Sequence, residues 1–169
     1  YLTFDDTTSL KYIYIDTINF PNNIWHIGKP QKTMFDSAKS LPYALITDTI
    51  NTYPTNDTSL FYLYHTTHTN PYWWPYLEFD FKIDADSLTD FGKIEASPNL
   101  GLTWVDIIKE APGGEWGISP TGQGSWAPWD TIPFTATSDG WYHFSITMFS
   151  WDNVFGHTDT ILFRFTFIS

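Results

Sequence analysis

The segment Ile94-Glu95-Ala96-Ser97-Pro98-Asn99-Leu100-Gly101-Leu102-Thr103-Trp104 decides the fold of this chain. It reads as a strand, a tight turn and a returning strand. Asn99 and Gly101 are expected to take the left-handed backbone angles that a tight hairpin needs. The Ser97 hydroxyl can bond nearby backbone groups, and Trp104 can fold back over the turn as an apolar lid. The hairpin contains no group suited to catalysis.

The same period-two signal extends outward from the hairpin. Residues 10–15, 43–47, 60–65, 76–84, 94–97, 102–108, 141–149 and 160–168 are predicted strands. In 76–84, Phe79, Phe81 and Ile83 share one face, and Glu78, Asp80, Lys82 and Asp84 share the other. In 160–168, Ile161, Phe163, Phe165 and Phe167 alternate with Leu162, Arg164, Thr166 and Ile168. Apolar residues on both faces predict a central strand. No stretch has a long helical period, although 33–40 could close one short helical turn. Residues 111–133 are rich in Gly, Pro and Trp and are expected to form a long loop, either a functional surface or a packed lid.

Composition narrows the class. A chain of 169 residues fits one domain, residues 1–169, with a sizeable core. Aromatic residues make up 20% of it, which favours strands over helices. Eight Lys and Arg stand against nineteen Asp and Glu, a formal net charge of −11. Such a surface argues against nucleic acid and anionic membranes as partners, since both select basic patches. No Cys is present, so disulfides contribute nothing. No apolar run approaches the roughly 20 residues of a membrane helix, so membrane insertion is not expected. The chain opens on Tyr1-Leu2-Thr3-Phe4, as a processed protein or excised fragment would.

These features predict an all-β, jelly-roll-like antiparallel sandwich. Its expected core is Phe79, Phe81, Ile83, Trp104, Trp141, Phe163, Phe165 and Phe167.

The hairpin resembles the Asp-box of secreted β-proteins, with Asn99 in the usual Asp position. A single copy excludes a sialidase-type propeller, in which the box repeats from blade to blade. Four further segments resemble the jelly-roll domains of large secreted Bacteroidota proteins, related to MAM-like and carbohydrate-binding-module-like sandwiches. They are Asn23-Ile24-Trp25-His26-Ile27-Gly28-Lys29-Pro30-Gln31-Lys32, Ala44-Leu45-Ile46-Thr47-Asp48-Thr49 with Tyr53-Pro54-Thr55-Asn56-Asp57-Thr58-Ser59, Asp90-Phe91-Gly92-Lys93 leading into the hairpin, and Ile161-Leu162-Phe163-Arg164-Phe165-Thr166-Phe167. The resemblance implies a secreted or cell-surface module of a larger protein exported by the type IX route. Nothing here resembles the sorting domain of that route. Related domains usually continue with a strand containing a "G-W-x-I-D"-like segment, so the sandwich is expected to lack its final strand or to receive one from a partner.

The chemistry-bearing residues follow. Glu78-Phe79-Asp80 places two carboxylates on one strand face, as a retaining glycosidase on a jelly roll requires. The third carboxylate of the laminarinase-like pattern would fall at Lys82 or Ile83, so no enzyme is expected. His65-Thr66-Thr67-His68 points to opposite strand faces and makes a poor metal clamp. Asp5 and Asp6, together with Asp84, Asp86 and Asp90, supply hard oxygen ligands on loops for one structural calcium ion. Turn formation by these Asp residues is the plainer reading. Trp73, Trp74, Trp116, Trp126 and Trp129 offer flat apolar faces for sugar stacking, against the alternative of plugging the sandwich ends. Asp followed by Ser or Thr recurs eight times, more often than composition predicts. Seven of these sites continue with Ala, Ile, Leu or Thr and resemble the O-glycosylation acceptor of secreted Bacteroidota proteins. The acceptors would be Thr7, Thr17, Ser37, Thr49, Ser87, Thr131 and Thr160.

The expected function is non-catalytic: glycan or surface binding and adhesion. The alternative is a structural subunit of a surface assembly whose open edge is filled by a neighbouring protein's strand, and a glycoside hydrolase is the remote alternative.

Overall fold

The computed structural model describes residues 2–5, 10–66, 76–109, 115–119, 134–147 and 160–169, with backbone alone at 115–119 and 147. Their regular elements are ten strands. These are β1 (Ile13–Ile15), β2 (Trp25–Gly28), β3 (Ala44–Thr47), β4 (Thr58–Thr66), β5 (Tyr76–Phe81), β6 (Phe91–Ser97), β7 (Val105–Asp106), β8 (Glu115–Ser119), β9 (Tyr142–Thr147) and β10 (Thr160–Ile168). All pairings are antiparallel. A five-stranded sheet runs β1-β4-β10-β6-β7, a three-stranded sheet runs β5-β9-β8, and β2 pairs with β3.

The two larger sheets face each other as a sandwich. Ile94 and Ala96 of β6 and Ile161 and Phe163 of β10 meet Leu77 of β5 and Phe144 and Ile146 of β9 in one core. Phe79 bridges the layers, its ring 5.6 Å from Phe165 edge-on and 4.9 Å from Phe144. Phe134, Ile107 and Ile108 close the core from the connecting segments. Aromatic pairs of this kind add about 0.5–1.5 kcal/mol each beyond their buried area.

The predicted faces hold. Phe79, Phe81 and Ile83 pack on the core, and β10 is hydrogen-bonded on both sides, as its two apolar faces required. The final strand is therefore a centre strand, and the edges of its sheet are β1 and β7. Beyond the short β1, the flank of β4 is guarded by side chains. Asn23 Nδ2 donates to Leu60 O at 2.6 Å, and Trp25 Nε1 donates to Ser59 O at 3.2 Å. These carbonyls would otherwise present an open strand edge.

Four readings need correction. The turn of helix at 33–40 is absent: these residues are bends and coil, with Lys32 N bonded to Phe35 O and Ala38 buried. The region 111–133 is not wholly a loop, because Glu115–Ser119 forms β8 and pairs with β9. β2 was not predicted, because its four residues are too few to show a period. Trp104, expected in the core, lies instead against Tyr62 and Arg164 on the outer side of the five-stranded sheet.

Candidate functional site

Strand alternation sends Ile13, Phe61, Leu63, Phe163, Phe165, Ile94 and Ala96 inward, so their neighbours face out. The registers then align one transverse row on the outer face. Tyr14 lies opposite Tyr62, Tyr62 opposite Arg164, Arg164 opposite Glu95, and Glu95 opposite Asp106. One step along the strands, Tyr64 N bonds to Tyr12 O, and Tyr64 lies opposite Leu162, which lies opposite Ser97.

Aromatic rings dominate this surface. Tyr12, Tyr14 and Tyr64 are 39%, 46% and 43% exposed. The Tyr14 and Tyr62 rings stack with centroids 6.0 Å apart, and Tyr62 meets Trp104 at 5.9 Å. Trp104 in turn lies against Arg164, whose guanidinium carbon is 4.1 Å from the ring centroid. Arg164 is fixed from the other side: Nε and Nη2 both donate to Glu95 Oε2, at 2.8 and 2.6 Å. Lys93 Nζ donates to Glu95 Oε1 at 2.7 Å. Burial pushes the Glu95 carboxyl up, but the hydrogen bonds and charges of Lys93 and Arg164 outweigh it and hold the group below its ordinary range. Burial is also the main cause that raises the Tyr62 phenol. The face therefore combines aromatic rings with a pre-paired polar centre, which suits a ligand that is apolar on its flat sides and polar at its rim.

The hairpin builds the wall of this face. Ser97 Oγ accepts from Gly101 N at 2.8 Å, and Asn99 Oδ1 accepts from Thr103 N at 2.9 Å. Trp104 folds over the turn as expected, so that a Cβ on Gly101 would lie 3.3 Å from its Cζ2. The left-handed residues are Leu100 and Gly101, with φ of 57° and 93°, rather than Asn99 and Gly101. Asn99 instead spends its side chain bridging the turn.

The acidic candidates are engaged in loop structure. Asp90 Oδ2 accepts from Tyr53 Oη and Oδ1 from Thr89 Oγ1, each at 2.7 Å. Burial first, then this bond to Asp90, pushes the Tyr53 phenol up to about 12. Asp86 Oδ1 caps Leu88 N, Asp84 Oδ1 accepts from Thr137 Oγ1, and Asp5 accepts from Thr3. Among the described residues, no three Asp, Glu or His side chains converge to hold a metal ion. Asp84, Asp86 and Asp90 are each engaged in hydrogen bonds of their loops, and Asp6 lies outside the described residues. Glu78 and Asp80 share the outer face of the three-stranded sheet, flanking His143 at 3.6 and 3.2 Å.

Trp73, Trp74, Trp126 and Trp129 lie outside the described residues; of Trp116, the backbone is placed opposite Ile146. Among the acceptor candidates, Thr17, Ser37 and Ser87 are exposed, Thr49 and Thr160 are half-buried, and Thr7 and Thr131 lie outside the described residues. Thr17 and Thr49 belong to a repeated device. Asp16-Thr17-Ile18-Asn19 and Asp48-Thr49-Ile50-Asn51 each follow a strand and close with the same hydrogen bonds, although Asp48 alone of the two has a positive φ, 54°. In both, the Asp Oδ1 accepts from the backbone N–H groups two and three residues on, and Oδ2 from the Asn side chain. The backbone bonds from Asn51 and Ile50 hold Asp48 down to about 2.

Sequence reasoning missed the tyrosine face. Its signal was present in Tyr12-x-Tyr14 and Tyr62-x-Tyr64, two strands that place aromatics at alternate positions.

Fold and site together define an all-β, antiparallel, sandwich-like protein with an aromatic sheet face. No family model, curated protein or solved structure matches the chain.

Proposed function

We propose that this protein is a non-catalytic, extracellular glycan-binding module, and that its binding surface is the outer face of the five-stranded sheet. The observation that carries this reading is the cluster of Tyr12, Tyr14 and Tyr64, exposed side by side and continued by Tyr62 and Trp104. Soluble proteins rarely leave contiguous aromatic surface uncovered without a use for it. Pyranose rings match such a surface, because their C–H faces stack on aromatic planes while their hydroxyls reach the polar rim. The jelly-roll resemblance and the O-glycosylation-like acceptors support a secreted or cell-surface location in a Bacteroidota host. An intact mass of the native protein equal to that of the bare chain would refute the modification.

The direct test is retardation in polysaccharide affinity gels. The Tyr12→Ala/Tyr64→Ala variant should lose retardation while melting within a few degrees of the parent, since both side chains are solvent-facing. Unchanged retardation would remove the sheet face as the binding surface.

A further inference from the structure

Resting on that reading, we infer that the ligand of this face is an acidic polysaccharide, carrying carboxylate or sulfate groups along its chain. The inference comes from how charge is distributed over the face.

Three carboxylates stand on or beside the outer surface, and each is withdrawn from solvent. Asp16 is 2% exposed and accepts from Ile18 N, Asn19 N and Asn19 Nδ2. Glu95 is 8% exposed and holds Arg164 and Lys93. Asp106 is 7% exposed and caps Ile108 N and Lys109 N. The cations beside them are not withdrawn. Lys11 is exposed, with Nζ 4.7 Å from the Tyr12 ring centroid. The Lys93 side chain is 37% exposed, and that of Arg164 is 24% exposed. Among the described residues of this face, the charges that meet solvent are therefore positive, on a chain whose net charge is −11. The outer face of the three-stranded sheet is the reverse, with Glu78 and Asp80 half-exposed around His143.

The cations are also placed in line. Lys11 precedes β1 with its Nζ over the Tyr12 ring, and Tyr12 is aligned with Tyr64 by its backbone bond; with Arg164 on β10 and Lys93 on β6, placed by register, the three cations lie on a diagonal across the sheet. That diagonal passes over Tyr62. Strand spacing and rise per residue put its ends roughly 20 Å apart. A linear polymer laid along it would meet aromatic surface between positive charges. The tyrosines supply the contact area, because a chain with this net charge cannot hold a polyanion by charge alone. The cations select, because charge-assisted hydrogen bonds reward an acidic group over a hydroxyl.

The test uses the full chain in affinity gels and titration calorimetry. The probes are polygalacturonate and alginate as carboxylated polymers, carrageenan as a sulfated one, and laminarin and xyloglucan as neutral ones. At least one acidic polymer should bind ten-fold or more tightly than the neutral ones, and the arm that binds names the acid group. Lys11→Gln/Lys93→Gln should lose most of that preference while keeping any weak neutral binding. Tyr12→Ala/Tyr64→Ala should lose both. Equal binding of neutral and acidic polymers, unaltered by the lysine changes, overturns the acidic assignment and leaves the sheet face standing. Binding that survives the tyrosine changes, or no binding to any of the five polymers, overturns the face and the acidic assignment together.

Discussion

Replacing Arg164 with Met tests the centre of the aromatic face. The substitution keeps an unbranched apolar side chain but removes the guanidinium, with its contact to the Trp104 ring and its two donors to Glu95 Oε2. Glu95, 8% exposed, is left with Lys93 alone. Hydrogen bonds to charged groups contribute about 1.5–3 kcal/mol net each. Removing one member of a buried pair costs about 3–5 kcal/mol, because the other charge stays uncompensated. With Lys93 still in place the lower end applies, about 3 kcal/mol at pH 7. For a chain of this size that is a melting-temperature drop of about 6–12 °C. The pH dependence carries the sharper information. Glu95 is more acidic folded than unfolded, so its contribution is present above the ordinary Glu value of about 4.3 and is lost as pH falls through the folded value. In the variant, burial dominates and the carboxyl moves up. The deficit relative to the parent should therefore be largest near neutrality and shrink below about pH 4. Adding Glu95→Gln should recover a large part of the loss. Differential scanning calorimetry from pH 3 to 8 on the parent, both single variants and the double variant measures all of this. A deficit under about 1 kcal/mol that is flat with pH would mean the pair is solvent-screened and the polar centre is not pre-organised.

Leu100→Gly should stabilise the protein by about 1 kcal/mol, read as a higher melting temperature. Leu100 is 64% exposed, so little burial is lost, and its φ of 57° is a region that costs L-residues about that much. Gly92→Ala should destabilise by about 2 kcal/mol in urea unfolding. The new Cβ would sit 2.7 Å from Phe134 Cβ, where Gly92 N now donates to Phe134 O. Equal midpoints for the variant and the parent would show that Phe134 can shift without cost. Asp48→Ala should cost about 1 kcal/mol at pH 7, after allowing for solvent screening of an exposed turn. Asp48 is held down to about 2, so this contribution is present above the ordinary Asp range and disappears as pH falls toward 2. An acid-unfolding curve parallel to that of the parent would contradict it.

Local pattern accounts for much of the architecture. Thr160–Ile168 announces a centre strand because both of its faces are apolar, and a strand with a solvated face would alternate with polar residues. Tyr76–Phe81 announces its buried face in the same way. The hairpin at Ser97–Gly101 was legible because its bonds close over at most four residues, a range in which side-chain type dictates geometry. Leu100 escaped the reading because nothing in a leucine signals positive φ; the closing bonds of the turn impose it.

Which side of a strand becomes the outside was decided by long-range pairing. Period two groups Tyr12 with Tyr14 and Tyr62 with Tyr64, but an aromatic pair serves equally as core or as surface. The grouping acquires meaning once β1 and β10 flank β4 and turn Ile13, Leu63 and Phe163 inward together. Trp104 shows the same dependence. Hydropathy assigned it to the core, yet a free apolar interior was not its only refuge. A guanidinium held by a buried carboxylate offered a partner on the outside. Strand identity rests on interactions between neighbours in the chain, which composition and spacing record. The binding face rests on registers between strands distant in the chain, and those are set by the packing of the two sheets.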